Sequence, residues 1–190
     1  MTPFTTITAR AVTLDRANLD TDQIIPARFL RKPRSAGYGN FLFHDLAILR
    51  DAVLGAGVLF TGSNFGCGSS REGAVYALID AGVRCVVSPS FGDIFAGNAA
   101  KNGLLLVILP EYATAAMRGA VGRGGTVTVD LLNQVIEGPG GVVLPFEIEP
   151  FRKHLLLKGL DDVGLTLTHM VSLAEWQARD IEARPWVFPV

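Results

Sequence analysis

The stretch from Gly57 to Pro110 constrains the fold more than any other part of this chain. GVLFTG (57–62) is a short apolar run with the character of a buried strand. A glycine-rich turn follows, and apolar residues at helical spacing then predict a helix from about Ser70 to Ala81. VRCVVSPS (83–90) is a β-branched strand. FGDIFAGNAAKNG (91–103) predicts a helix that stops at Asn102-Gly103, and LLLVILP (104–110) is a further strand. Strand, helix, strand, helix, strand at this spacing requires right-handed crossovers and a parallel sheet covered on both faces.

The flanks have a different grammar. TITARAVTL (6–14) has partial alternation and predicts a first strand. NLDTDQIIPARFL predicts a turn leading into a short extended segment, and RKPRSAGYGN (31–40) predicts a loop. FLFHDLAILRDAV resembles a short amphipathic helix. Beyond the parallel unit, EYATAAMRGA predicts a short helix, TVTVDLLNQVIEG a β-hairpin around Asn133, and VVLPFEIE a final strand. PFRKHLLLKG opens on Pro150 and stops at Gly159, as a helix does. Asp161-Asp162 reads as a turn, and THMVSLAEWQARDIEAR predicts the last helix. The tail PWVFPV is apolar and either packs on the domain or meets a partner. No repeat or linker interrupts residues 1–190, so a single α/β domain is expected, its partly parallel sheet flanked by helices.

Composition excludes several functions. The chain is 49% hydrophobic and only 18% charged, an apolar excess that fits either surface that meets another protein or a dense core under a thin charged shell. A net charge of −1 gives no electrostatic footprint for nucleic acid. The longest apolar run, Leu104–Pro110, is too short to span a bilayer. The N-terminus MTPFTTITAR lacks the pattern of a secretory signal, so a cytoplasmic protein is expected. Cys67 and Cys85 form no CxxC unit, and His44, His154 and His169 show no ligand spacing. Two cysteines are too few for an iron–sulfur cluster of the usual kind, so no metal or cluster is expected in this chain.

Chemistry concentrates at the first strand–helix junction, GSNFGCGSSREG (62–73). Glycines such as Gly66 and Gly68 let backbone amides approach a ligand, and a helix start carries unpaired N–H groups and partial positive charge. Arg71 adds a guanidinium suited to a carboxylate. These features make an anion cradle. Ser69, three residues before Glu72, equally matches the S-x-x-E capping box, and Ser70 is also a competent cap. Standard nucleotide-binding fingerprints and a G-x-S-x-G elbow are absent. A serine hydroxyl buried among amide donors beside an arginine has its alkoxide stabilised and can act as a general base.

Four segments extend this reading. GSNFGCGSSRE, SPSFGDIFAGNAAKNGLLLVIL, NLDTDQIIPARFL and FEIEPFRKHLLLKGLDDVGLTLTH occur together over residues 4–180. In combination they resemble the small subunits of 3-isopropylmalate dehydratases, bacterial type, within the aconitase superfamily. The resemblance implies the superfamily's swivelling β/β/α domain. It also implies a separate large subunit that carries a [4Fe–4S] cluster, with the active site between the two chains and a small dicarboxylate as substrate.

Carried over by position, Ser69 corresponds to the catalytic base, and Ser70 and Arg71 to substrate-carboxylate contacts. Asp22 corresponds to an acidic residue facing the site, with Thr21 beside it. Gln23 stands where aconitases usually have histidine, and Cys67 where they have an acidic residue. The Gln23 departure suits the isopropylmalate branch, whereas Cys67 reads as a small loop filler or as a residue facing the partner's site. RFLRKPR (28–34) corresponds to a segment near the substrate entrance, with Arg28 as a further substrate contact and Ile25, Phe29 and Leu30 around the isopropyl group. A solvated basic loop is the other reading of that segment. Asp93 and Asn98 read as capping and packing positions. Three alternatives stay open: a related hydroxy acid of homoaconitate, citraconate or dimethylmalate type, a noncatalytic partner that stabilises a cluster enzyme, and an anion-binding module without catalysis.

Overall fold

The computed structural model of the chain describes residues 1–122 and 125–187. β1 (Thr6–Leu14) leads to a one-turn helix, α1 (Thr21–Ile24), then through short 3-10 turns to α2 (Ala47–Val53). The parallel unit follows as β2 (Val58–Thr61), α3 (Glu72–Asp80), β3 (Cys85–Ser88), α4 (Asp93–Asn102) and β4 (Leu105–Ile108). Helix α5 (Glu111–Val121) then crosses back to β5 (Thr126–Asp130), β6 (Val135–Glu137) and β7 (Val143–Pro145). The chain ends in α6 (Pro150–Lys158), α7 (Asp162–Leu167) and α8 (Met170–Ala183).

The seven strands form one sheet in the order β4-β3-β2-β1-β5-β6-β7. Strand β1 joins its two halves. Residues Ala11–Leu14 pair in parallel with β2, whereas Thr6–Arg10 pair antiparallel with β5. Every residue of β2 and β3 is buried, as a parallel strand covered on both faces requires. In β5 buried residues alternate with more exposed ones, as in a sheet with one wet face. Neighbours on one strand feed opposite cores. Leu59 and Val86 join Leu19, Ile24, Phe65, Leu78 and Phe95 beneath α3 and α4. Val58, Phe60, Cys85 and Val87 join Phe4, Met117 and Val129 beneath α5.

The sequence misplaces several local features. The NLDTDQIIP segment is helical at α1, because Asp20 caps it: its carboxylate accepts from the Gln23 amide at 2.7 Å and from Gln23 Nε2 at 2.7 Å. Residues 31–40 are not open loop but tight 3-10 turns, tied down where the Tyr38 amide donates to Asp80 at 3.0 Å. Only residues 47–53 of the expected helix from Phe41 are α-helical. Gly92, not Asp93, is the cap of α4, with no side-chain bond, and a Cβ there would stand 2.6 Å from the carbonyl oxygen of Gly66. Asp161 is more than a turn residue, since it caps α7 by accepting from the Gly164 amide at 2.7 Å. Of the apolar tail, residues 188–190 lie outside the described residues. Among the described residues, no helix is long and apolar enough to cross a membrane.

Candidate active site at the carboxyl ends of β1 and β2

Ligand sites in sheets of this type form outside the carboxyl ends of parallel strands. Here β1 and β2 are parallel neighbours, so the segments leaving them emerge side by side. Residues 15–22 follow β1, and the serine loop, residues 62–71, follows β2. Main-chain bonds lace the two together past the strand ends. The Asn18 amide donates to Ser63 O at 2.9 Å, Gly66 N to Leu19 O at 2.7 Å, and Thr21 N to Cys67 O at 3.0 Å. The segment after β3 joins them, with Phe65 N donating to Ser90 O and Gly92 N to Phe65 O.

Two glycines allow this path. Gly66 lies at φ +73°, and a Cβ there would stand 2.3 Å from the Phe95 ring. Gly68 lies at φ +87°, a conformation that disfavours other residues. The structure corrects the role expected of Gly66, whose amide is committed to Leu19 O and does not face a ligand. The amides of Gly68, Ser69 and Ser70, by contrast, find no acceptor among the described residues.

The capping reading of the serines fails. Helix α3 begins at Glu72, two residues later than expected, and its cap is Arg71 without a side-chain bond. Ser69 and Ser70 are exposed in the isolated chain, ahead of the helix. The expected burial of the Ser69 hydroxyl is therefore not a property of this chain alone. Thr21 is buried, and its hydroxyl donates to Ser69 O at 2.9 Å. Its placement makes it a support for the serine, with its own oxygen already engaged.

Arg71 is half-buried and forms an ion pair with exposed Asp22. Asp22 also accepts from the Ala27 amide at 2.9 Å. The Arg71 guanidinium, against a small desolvation cost, holds the Asp22 carboxyl below its usual range, and the Ala27 bond adds to this. Asp20, Thr21, Asp22, Gly68, Ser69 and Arg71 line a cleft of about 160 Å³. A wider cleft of about 410 Å³ adjoins it through Asp20 and Asp22 and reaches Arg28. The expectation of a positive cradle needs correction, because two carboxylates face one guanidinium in the smaller cleft.

Arg28 does not reach the serine loop. It forms an ion pair with Asp45 and lies 3.2 Å from His44 Nδ1. Phe29 stacks on Phe41 with ring centres 4.4 Å apart. Ile25 is fully buried in the core and offers no surface to a substrate. Asp20, His44 and Asp45 were missed in sequence. The D-x-x-Q spacing signals Asp20 as a cap, but nothing local ties Asp45 to Arg28. The residues present do not fit a [4Fe–4S] cluster. Cys85 is sealed in the core, where burial pushes its thiol pKa far up, and Cys67 lies alone in the serine loop. Among the described residues, no group of three metal-ligating side chains forms.

Fold and site together define an α/β domain that presents an open, polar cleft at its strand ends. Comparison with known proteins makes this specific. A family model for the aconitase C-terminal domain matches residues 54–112, and one described as LeuD_N matches 119–150. The chain is 45% identical to the 3-isopropylmalate dehydratase small subunit of Dinoroseobacter shibae, covering 98% of this chain and 100% of that one. It is 43% identical to the small subunit of that name from Leptospira interrogans, over the full length of both. The crystal structure of a 3-isopropylmalate dehydratase from Methanocaldococcus jannaschii superposes with a TM-score of 0.73. That protein shares 27% identity, and the match covers 90% of this chain and 98% of that one. The chain belongs to the family of 3-isopropylmalate dehydratase small subunits. A small subunit implies a large-subunit partner.

Proposed function

We propose that this chain is the small subunit of a hydro-lyase that converts 2-isopropylmalate to 3-isopropylmalate through isopropylmaleate, in leucine biosynthesis. The whole chain acts as one swivelling domain that closes over a large subunit, and neither chain is active alone. The observation that carries the reading is the exposed Ser69, held by Thr21 beside free amides and an arginine, and not used as a helix cap.

Ser69 is the general base. It removes the proton from the carbon next to the one bearing hydroxyl, and the hydroxyl takes up a proton and leaves as water, giving isopropylmaleate; water then adds its hydroxyl to the carbon that lost the proton, and the Ser69 hydroxyl returns a proton to the carbon that lost the hydroxyl. An unassisted serine is far too weak an acid for this. The amides around Gly68–Ser70 and the charge of Arg71 stabilise its alkoxide. Closure by the partner supplies the missing exclusion of water, which strengthens each of these interactions. Ser70 and Arg71 hold a substrate carboxylate, and Asp22 keeps Arg71 oriented until substrate arrives. Arg28 faces the wider cleft as a contact at the entrance. The [4Fe–4S] cluster belongs to the large subunit and supplies a Lewis acid at the substrate hydroxyl.

The test is a substrate panel on the complex reconstituted anaerobically with its large subunit, followed by isopropylmaleate absorbance. Turnover of 2-isopropylmalate well above homoaconitate, citraconate and dimethylmalate-type substrates is expected. An intact complex that prefers another hydroxy acid contradicts the substrate assignment.

A further inference from the structure

Among the described residues, four that are not glycine have positive φ, and Phe43, at +47°, is the one with an apolar side chain. A bulky residue in this region is strained. The surroundings impose the strain. Phe43 is fully buried, and its amide donates to Ile24 O at 2.8 Å. Its carbonyl accepts from the Leu46 amide at 2.8 Å, which puts His44 and Asp45 at the tip of a tight turn. Asp45 and Leu46 line the wider cleft together with Arg28, Asp20 and Asp22.

Asp45 engages both ends of the Arg28 guanidinium. Arg28 Nη1 donates to Oδ2 at 2.8 Å, and Nη2 donates to Oδ1. His44 Nδ1 lies 2.9 Å from the same Oδ1 and 3.2 Å from Nη2, so either tautomer steadies one member of the pair. Arg28 Cζ stands 4.7 Å from the centre of the Phe29 ring, and that ring packs on Phe41 and His44. Arg28 Nε makes no hydrogen bond among the described residues. Stability does not account for this arrangement. Arg28 and Asp45 are 54% and 53% exposed, and an exposed ion pair adds little to a fold. A strained turn that serves an exposed pair beside a cleft points to function.

We propose that Asp45, carried on the strained turn at Phe43 and steadied by His44, is a positioning residue that fixes Arg28 in the wider cleft to receive a substrate carboxylate. The inference rests on the reading of Arg28 as an entrance contact. Arginine engages a carboxylate through a planar fork, so its orientation must be set as well as its charge. A loose side chain of that length loses rotamer freedom on binding, and Asp45 and Phe29 remove that loss in advance. Asp45 is ionised for this role, because Arg28 first and His44 second hold its carboxyl far below the usual range.

The experiment is a double-mutant cycle on the complex reconstituted with its large subunit, using Asp45→Asn, Arg28→Lys and the two combined, with 2-isopropylmalate as substrate. Asp45→Asn should raise KM by about tenfold and leave kcat within about twofold. Arg28→Lys keeps the charge but loses the fork, and should raise KM by a similar factor. The combined variant should be within about twofold of the worse single one, because both changes remove one arrangement. Asp51→Asn breaks an exposed pair with Arg50 outside the cleft and should leave KM within about twofold of wild type. Thermal midpoints of the isolated chains should match, since the substituted side chains are exposed. A wild-type KM in Asp45→Asn beside an impaired Arg28→Lys overturns the positioning and leaves the entrance contact standing. Effects that multiply in the combined variant also overturn it. So does a KM that falls in Asp45→Asn, since Asp45 then competes with substrate for Arg28. A wild-type KM in Arg28→Lys removes the entrance contact and the positioning with it. If the complex prefers another hydroxy acid, the substrate assignment falls, and the same cycle run on that acid decides the positioning.

Discussion

At the scale of single residues, Ser69 is the position where structure and chemistry separate most cleanly. A serine that caps a helix loses about 1 kcal/mol of stability on replacement by alanine. Ser69 makes no cap bond, so Ser69→Ala should leave urea-unfolding stability within about 0.5 kcal/mol of wild type. Thr21 is the complementary case. Thr21→Val removes the hydroxyl that holds the Ser69 carbonyl, and should cost about 1 kcal/mol. In the assembled enzyme it should lower kcat by about tenfold through misplacement of the serine, with KM little changed. A rise in KM at constant kcat would instead make Thr21 a substrate contact. Asp22 has a depressed pKa in the fold, caused first by Arg71. Its stabilising contribution is therefore fully present above the ordinary carboxylate range and is lost as pH falls through the lowered folded value. The group is largely exposed, so the effect is small, on the order of 0.5 kcal/mol. Unfolding midpoints of wild type and Asp22→Asn should differ at pH 7 and converge at acid pH. A gap that persists unchanged at acid pH contradicts the ion pair as its source.

At the scale of elements, the site depends on how closely three loops approach one another past the strand ends. Gly66→Ala drives a Cβ into the Phe95 ring and strains a backbone at φ +73°. It should cost on the order of 2–4 kcal/mol, visible as a lowered thermal midpoint, and an unchanged midpoint would mean the loops are slack. The elements of the parallel unit were legible in sequence because local signals agree there. β2 and β3 are unbroken apolar runs, and Gly103 stops α4 in a left-handed conformation. The hairpin around Asn133 and the helix from Pro150 to Gly159 were legible for the same reason. Helix α1 was not, since Asp20 and Asp22 both resemble turn residues until the Gln23 bonds to Asp20 are seen. Ser69, Ser70 and Arg71 were legible as a junction. Their partners were not, because Thr21 to Ser69, Asp22 to Arg71 and Asp45 to Arg28 are pairings set by strand order and loop packing. Commitment of the Gly66 amide to Leu19 is likewise a long-range event.

At the scale of the whole molecule, the features that look unfinished share one cause. Gly68, Ser69 and Ser70 are exposed, and the small cleft lacks a net positive charge. In the proposed function the large subunit completes the cleft by covering the strand ends, excluding water and bringing further cations to a dianionic substrate. The isolated chain should therefore show no turnover of 2-isopropylmalate. The most direct measurement reconstitutes wild-type and Ser69→Ala chains with the large subunit under anaerobic conditions and follows isopropylmaleate absorbance. Both complexes should assemble with equal affinity, and the variant should lose turnover by roughly a thousandfold, within the usual range for removal of a general base. A Ser69→Ala complex that assembles and retains near-normal turnover would contradict the assignment of Ser69 as the base and leave this chain as a scaffold for its partner.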